Sequence, residues 1–181
     1  MEKSFRLTAK QSHAWRNYLQ NPNCLRILFD GGARSGKTDV VLAWLVHQAE
    51  QYAGSRMLVA RKFFAHAKAT SWVSLCKLMR GCGGYEVKEA DHEFIFSNTS
   101  LIRIGGLDDK ERVDKILGDE YQHIFVNEAT QVEAETLSTV RTRLAQVTYD
   151  RAGVPGQRKL ILDCNPKSPQ HWLYKMGVMH Q

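Results

Sequence analysis

The sequence contains few cysteines and no long apolar run, and each absence excludes a class of protein. Four cysteines occur, and none forms a CxxC pair. Because this spacing is not that of a small secreted fold stapled by disulfides, we expect reduced thiols and a cytosolic protein. The longest apolar run, residues 40–46, is far shorter than the roughly 20 residues that cross a bilayer. The charged N-terminal residues lack the apolar centre of a signal peptide, so we expect neither secretion nor membrane insertion.

The histidines lack the spacing of a metal site, and the chain has no internal repeat, low-complexity tract or interdomain linker. None of the seven histidines belongs to an HExxH motif. With 181 residues, 43% of them hydrophobic and 24% charged, the composition is that of an ordinary globular protein. A single domain of this length buries enough surface to fold without a metal or a disulfide. The net charge of +6 permits a nucleic-acid partner but does not require one.

The apolar periodicity changes repeatedly between the spacing of helices and that of strands. Thr8 and Gln11 form the pattern of a capping box, which predicts the start of the first helix. Strand and helix alternate along the chain, which indicates a mainly parallel sheet with helices on both faces. Strands are predicted at 25–29, 57–60, 122–126 and 159–163, a β-hairpin at 93–96 and 101–104, and helices at 8–19, 37–53, 65–79, 108–117 and 133–144.

A glycine-rich loop between the first strand and the second helix fits the pattern G-x-x-x-x-G-K-[ST]. It consists of Gly31, Gly32, Ala33, Arg34, Ser35, Gly36, Lys37 and Thr38. In such a loop the backbone N–H groups and the helix N-terminus bind phosphates. We expect Lys37 to reach the β- and γ-phosphates of ATP and the Thr38 hydroxyl to coordinate Mg²⁺. The motif identifies a class of ligand and leaves the reaction open.

The strand predicted at 122–126 ends in Asn127 and Glu128, which are candidates for the chemistry of hydrolysis. Phosphate-loop ATPases place a carboxylate that activates water at the end of a strand neighbouring the loop strand, so Glu128 is the candidate general base. Asn127 stands where an aspartate usually holds Mg²⁺ through water, and its neutral amide would weaken metal binding. Glu128 is a second candidate for a water-mediated metal contact. A surface acid beyond a buried strand is the alternative interpretation of Glu128.

Two other acids are less attractive as metal ligands. Asp119 precedes the acidic strand. Asp163 lies two residues before Asn165, and the Asn165-Pro166 pair is the stronger candidate for a site motif.

Three further polar residues could contact a nucleotide, and each has a plain structural alternative. Asn165, before Pro166, could sense the γ-phosphate at the carboxyl edge of the sheet or belong to a simple Asn-Pro turn. Gln11 could pair with adenine or only cap its helix. Arg34 could bridge phosphate oxygens and stabilise developing charge, or be a solvated loop residue. Three arginines are candidate arginine fingers, side chains that face a partner subunit: Arg112, Arg141 and Arg143. The alternative for each is a solvated arginine.

Together these motifs resemble those of the N-terminal ATPase domain of tailed-bacteriophage terminase large subunits. The resemblance rests on LTAKQ at 7–11, GGARSGKT at 31–38, MLVARK at 57–62, GGLDD at 105–109, FVNEAT at 125–130 and NPKSPQHW at 165–172. It implies a three-layer phosphate-loop fold of the additional-strand, catalytic-glutamate type, into which the β-hairpin predicted above would be a small insertion. It also implies that Gln11 contacts adenine and that Asn165 belongs to the family's coupling motif.

The resemblance further implies an ATPase that uses ATP and Mg²⁺ to move double-stranded viral DNA into a procapsid. Such a motor works in the host cytoplasm as a ring of five subunits at the capsid portal, with a small terminase subunit, and the isolated domain could be a monomer. The family's nuclease domain follows the ATPase domain. We therefore expect residues 1–181 to form the ATPase domain alone and to cut no DNA. The alternatives left open are a helicase or DNA-remodelling ATPase and a switch that binds ATP without hydrolysing it.

Overall fold

The computed structural model describes residues 6–32, 34–165, 170–173 and 175. The strands are β1 Arg26–Asp30, β2 Arg56–Arg61, β3 Tyr85–Lys88, β4 Glu93–Phe96, β5 Leu101–Gly106, β6 His123–Val126 and β7 Lys159–Cys164. The α-helices are α1 Ala9–Ala14, α2 Lys37–Gln51, α3 Phe64–Ala67, α4 Val73–Met79, α5 Lys110–Leu117 and α6 Ala134–Arg141. Shorter helical segments are the π-helical turns Trp15–Leu19, after α1, and Lys68–Trp72, between α3 and α4, and the 3₁₀ turn Ala129–Gln131. Within these ranges no helix is both long and apolar enough to cross a membrane.

The seven strands form one sheet in the order β1-β7-β6-β2-β5-β4-β3. The first five strands in this order pair in parallel, and β4 and β3 continue the sheet in antiparallel fashion. The last strand along the chain, β7, therefore lies between the loop strand β1 and the acidic strand β6. The expectation that the acidic strand neighbours the loop strand is wrong, whereas the additional-strand arrangement implied by the family resemblance is confirmed.

Apolar side chains on both faces of the sheet form two cores, which gives the three-layer fold. In β2, Met57 and Val59 contribute to one core, and Leu58 and Ala60 contribute to the other. This alternation follows from the two-residue period of a strand. The first core includes residues of α2 and α4, and the second includes residues of α5 and α6. The continuous apolar runs of the central strands are typical of a parallel sheet buried on both faces.

The predicted hairpin is present, but its second strand is part of the main sheet. Strand β5 pairs with β4 on one side and with β2, in parallel, on the other. Two glycines at its end permit this close packing: a Cβ at Gly105 would lie 2.8 Å from Ile116 Cδ1, and a Cβ at Gly106 would lie 2.5 Å from Phe64 Cβ. Strand β3 was not predicted: its residues YEVK alternate apolar and polar side chains, but the segment is only four residues long and mostly exposed at the sheet edge.

Candidate active site

The glycine-rich loop connects the carboxyl end of β1 to the N-terminus of α2, as its sequence predicts. Arg34 and Gly36 adopt left-handed backbone conformations, with φ of 61° and 79°. The Lys37 ammonium lies inside the loop, where Nζ donates hydrogen bonds to Gly31 O at 2.6 Å and to Gly32 O at 3.0 Å. The positive charge of Lys37 therefore lies next to the backbone of the loop. Ala33, also predicted as a phosphate contact, lies outside the described residues.

Gln11 connects the first helix to the glycine-rich loop. Its Oε1 accepts a hydrogen bond from Thr8 N at 3.0 Å, and the Thr8 hydroxyl accepts one from Gln11 N, so the predicted capping box is confirmed. Its Nε2 donates to Gly36 O at 3.1 Å. A Cβ at Gly36 would lie 2.6 Å from this nitrogen, so the contact requires glycine. Contact between Gln11 and adenine stays a prediction.

Thr38, at the start of α2, contacts residues at the carboxyl ends of β6 and β7. Its hydroxyl donates a hydrogen bond to Asp163 Oδ2 at 3.1 Å, and Asn127 Nδ2 lies 3.2 Å from the same hydroxyl. The Asn127 amide also donates to both carboxylate oxygens of Asp163 at 2.9 Å. Burial raises the pKa of Asp163, and its hydrogen bonds with Glu128, Asn127 and Thr38 act in the opposite direction. Three chain segments thus meet at one buried carboxylate.

The sequence pattern ranks Asp163 and Asp119 together as weak candidates, but the structure separates them. Asp163 is 2% exposed and lies at the centre of the site, whereas Asp119 pairs with Arg103 and Arg56 instead. Strand register could have indicated Asp163: it follows Leu162, which pairs with Val126, just as Asn127 follows Val126. The order of strands was needed to use that signal.

Glu128 follows β6 in a left-handed conformation, with φ of 56° and ψ of 48°. Such a backbone is uncommon and costly for a residue other than glycine, and residues of this kind cluster at functional sites. Its N–H donates to Asp163 Oδ1 at 2.7 Å, which helps to hold the turn. Asn165 Nδ2 donates to Glu128 Oε1 at 3.1 Å. The residues after β6 and β7 are thereby linked through both the backbone and the side chain of Glu128.

A cleft of about 260 Å³ opens between the loop and these strand ends. It is lined by Arg34, Ser35, Gly36, Lys37, Thr38, Asp39, Glu128, Asp163 and Asn165. Most of the residues predicted to bind or hydrolyse a nucleotide therefore lie together, although their roles stay predictions. Arg112, Arg141 and Arg143 do not line this cleft, and Arg112 lies over the Phe64 ring instead, 4.4 Å from its centroid.

The polar groups beside Thr38 fit a hard divalent cation. Hydroxyl, carboxylate and amide oxygens are the ligands that Mg²⁺ takes, and this ion usually keeps several waters and binds substrate phosphates. The described residues contain no group of three or more His, Cys, Asp or Glu side chains arranged to hold a metal alone. Mg²⁺ held with ATP phosphates requires no such group.

The fold is similar to those of several phage proteins. The large terminase of a thermophilic bacteriophage aligns with a TM-score of 0.75 and 22% identity over 95% of this chain and 42% of that one. Structures of the same terminase contain ADP and ATP-γ-S. The HK97 bacteriophage large terminase aligns with a TM-score of 0.69 and 12% identity, over 91% of this chain and 34% of that one. The N-terminal domain of the bacteriophage phi29 DNA packaging ATPase gives a TM-score of 0.57 at 13% identity, over 84% and 79%.

These matches show the fold, and the chain spans less than half the length of the two terminases. No curated protein sequence is significantly similar to this one. A model of the family described as phage terminase large subunit matches residues 23–180. Because this match extends over most of the sequence, the chain belongs to the phage terminase large subunit family.

Proposed function

We propose that this chain is an ATPase domain that hydrolyses ATP to move double-stranded DNA during viral genome packaging. The observation that carries the proposal is the placement of the Glu128 carboxylate, held by Asn165, in the same cleft as Lys37 and Thr38. A general base beside a phosphate-binding loop is the arrangement that nucleotide hydrolysis needs. The ADP and ATP-γ-S complexes of a terminase with the same fold support a nucleotide as the ligand.

The proposed reaction uses the charges that line the cleft. The loop N–H groups, Lys37 and Arg34 bind the phosphates and stabilise the charge that develops on them. Thr38 would hold Mg²⁺ directly, with Asn127 and Glu128 contributing through water, and the ion would neutralise charge on the β- and γ-phosphates. Glu128 orients a water and takes its proton as that water attacks the γ-phosphorus. The bond between the γ-phosphorus and the β–γ bridging oxygen breaks, and ADP is the leaving group.

Asn165 is the proposed link between hydrolysis and motion. The side-chain amide of Asn165 contacts the Glu128 carboxylate. The residue itself directly follows β7, the strand that lies between the loop strand and the acidic strand. Loss of the γ-phosphate would change the hydrogen bonds available to both side chains, and β7 would transmit that change to DNA-contacting surfaces. The coupling motif continues through residues 166–169, which lie outside the described residues.

The partners follow from family membership. We propose a homo-oligomeric ring at the capsid portal, with a small terminase subunit that recognises viral DNA. The net charge of +6 is consistent with contacts to DNA phosphates that do not depend on base sequence and that weaken as salt concentration rises.

The test is ATP binding and phosphate release, measured with and without double-stranded DNA. Glu128→Gln should keep ATP binding and lower turnover by at least about 100-fold, because a general base contributes that much. Lys37→Ala should weaken both. The matched control is Glu120→Gln, an equivalent change at an exposed residue before β6. Turnover of Glu128→Gln near that of the unmodified protein would contradict the role of Glu128.

One observation favours a second function, a switch that binds ATP without consuming it. Asn127 places a neutral amide where phosphate-loop NTPases usually hold Mg²⁺ with an aspartate. Such a switch would exchange ATP with no DNA-stimulated phosphate release, which the same measurements detect.

A further inference from the structure

The strand ends beside Thr38 carry an amide and a carboxylate on adjacent strands. Asn127, after β6, occupies the position where an acid is expected, and Asp163 is the penultimate residue of β7. Because β7 lies between β1 and β6, the Asp163 carboxylate is brought to the Thr38 hydroxyl, which lies 125 positions earlier in the sequence. The negative charge missing at residue 127 is therefore present in the same place, on the neighbouring strand.

The hydrogen bonds of Thr38 leave it able to bind a cation. A hydroxyl has one proton to donate and two lone pairs that accept. In this site the proton points to Asp163 Oδ2 and one lone pair faces Asn127 Nδ2. One lone pair is left, and Thr38 is among the residues that line the cleft.

The carboxylate of Asp163 is buried among neutral hydrogen-bond donors. It is 2% exposed, and its hydrogen bonds come from the Asn127 amide, the Thr38 hydroxyl and the Glu128 N–H. Among the described residues, none forms a salt bridge with it. A buried carboxylate is costly unless a cation or metal compensates its charge. These observations point to a ligand that brings positive charge to this position.

We propose that Asp163 supplies the carboxylate that holds the Mg²⁺ of bound ATP, through a coordinated water, in place of an acid at residue 127. In this arrangement Asn127 is a positioning residue instead of the water-mediated metal contact proposed above: its amide donates to both oxygens of Asp163 and holds the carboxylate against Thr38. An acid at residue 127 would place a second negative charge against Asp163, and like charges at this distance disfavour ionisation. The neutral amide of Asn127 can therefore donate to the Asp163 carboxylate without repelling it. This inference rests on the proposed function, since it concerns the metal of the same nucleotide.

The experiment measures Mn²⁺ binding by electron paramagnetic resonance, with the full chain and ATP-γ-S. Asp163→Asn should lower the Mn²⁺ affinity of the nucleotide complex about 10-fold to 100-fold, the usual effect of losing a group that acts through a metal's ligands. The same variant should bind metal-free ATP-γ-S more tightly, because a carboxylate that repels the phosphates has been removed. A residue with only a structural role would not change the two affinities in opposite directions.

The decisive variant is the exchange Asn127→Asp with Asp163→Asn. This double variant keeps one carboxylate and one amide in the site but places the carboxylate after β6 and the amide in β7. Most of the lost Mn²⁺ affinity should therefore be restored. The exchange also decides the question if Asp163→Asn alone fails to fold. The matched control is Asp114→Asn, which makes the same charge change at an exposed position of α5 and should leave Mn²⁺ affinity unchanged.

Unchanged Mn²⁺ affinity in Asp163→Asn, with normal nucleotide binding, would overturn this inference and leave the proposed ATPase intact. Failure of the exchange to restore a lost affinity would also overturn it. If the unmodified chain bound no nucleotide, with or without metal, the proposed function would fail and this inference with it.

Discussion

Asn165 Nδ2 donates a hydrogen bond to the Glu128 carboxylate, with 3.1 Å between Nδ2 and Oε1. The two residues follow different strands and lie 37 positions apart in sequence. A neutral donor fixes the direction of a carboxylate without adding charge to the site, which suits a general base. The contact ties the proposed catalytic group to the end of the strand that separates it from the phosphate loop.

Replacing Asn165 should lower ATP turnover more than ATP binding. Asn165→Ala removes a hydrogen bond to a charged group, which we expect to reduce turnover about tenfold. Asn165→Asp is isosteric but replaces the donor by a second negative charge, so its loss should be larger. Steady-state phosphate release and nucleotide titration measure the two effects. Asn23→Ala, exposed at the opposite edge of the sheet, should match the unmodified protein, and equal turnover in all four proteins would contradict the positioning role.

Replacing Gln11 should weaken the preference for ATP over GTP. If the Gln11 amide pairs with adenine, Gln11→Ala should reduce the ratio of ATP to GTP affinity about tenfold. Thr8→Ala is the matched control, since it removes the other half of the capping box and should cost about 1 kcal/mol of stability without changing the preference. Competition binding with both nucleotides measures the ratio. Equal ratios in the two variants would limit Gln11 to the capping box and its contact with Gly36.

Glycine at residue 128 should stabilise the fold and abolish turnover. The left-handed backbone of Glu128 is strained, and Glu128→Gly should raise the free energy of unfolding by about 0.5–1 kcal/mol. Thr99, in the turn between β4 and β5, has φ of 66° and serves as the control. Thr99→Gly should stabilise the protein similarly and keep its turnover. Denaturant unfolding measures both variants, and a loss of stability in both would show that neither backbone is strained.

The buried His123 should make the fold less stable in acid. Desolvation, with a smaller effect of Lys159, lowers the pKa of His123 to about 3 from its usual 6.5. As the pH falls below 6.5, the unfolded chain binds a proton at this residue and the folded chain does not, so stability decreases. The contribution approaches about 1.4 kcal/mol per pH unit until the pH nears the folded pKa.

His123→Phe should remove this contribution at little cost near neutral pH. The ring packs against Trp44, with centroids 4.6 Å apart, and neither ring nitrogen has a hydrogen-bond partner among the described residues. Unfolding free energies of both proteins, measured from neutral pH to about pH 5, test this. Parallel pH profiles would mean that His123 is protonated in the folded state as well.

The parts of the site that neighbour one another in sequence were predictable. The loop at residues 31–38 lies between β1 and α2, and the Thr8–Gln11 capping box begins α1, as their patterns indicate. Glu128 and Asn165 were recognised as polar residues beyond apolar strands. In each case the signal lies within a few residues and reflects local backbone geometry or the period of one element.

Tertiary structure decided what these pieces do together. The placement of β7 between β1 and β6 makes Asp163 the partner of Thr38 and Asn127, and strand order depends on non-local pairing that no short pattern encodes. The left-handed turn at Glu128 depends in part on a hydrogen bond from the same distant carboxylate. Local sequence patterns thus suffice for the loop, for the start of the first helix and for the family of the chain. Only packing of the sheet determined which carboxylate lies beside Thr38, because burial and strand neighbours are properties of the assembled fold.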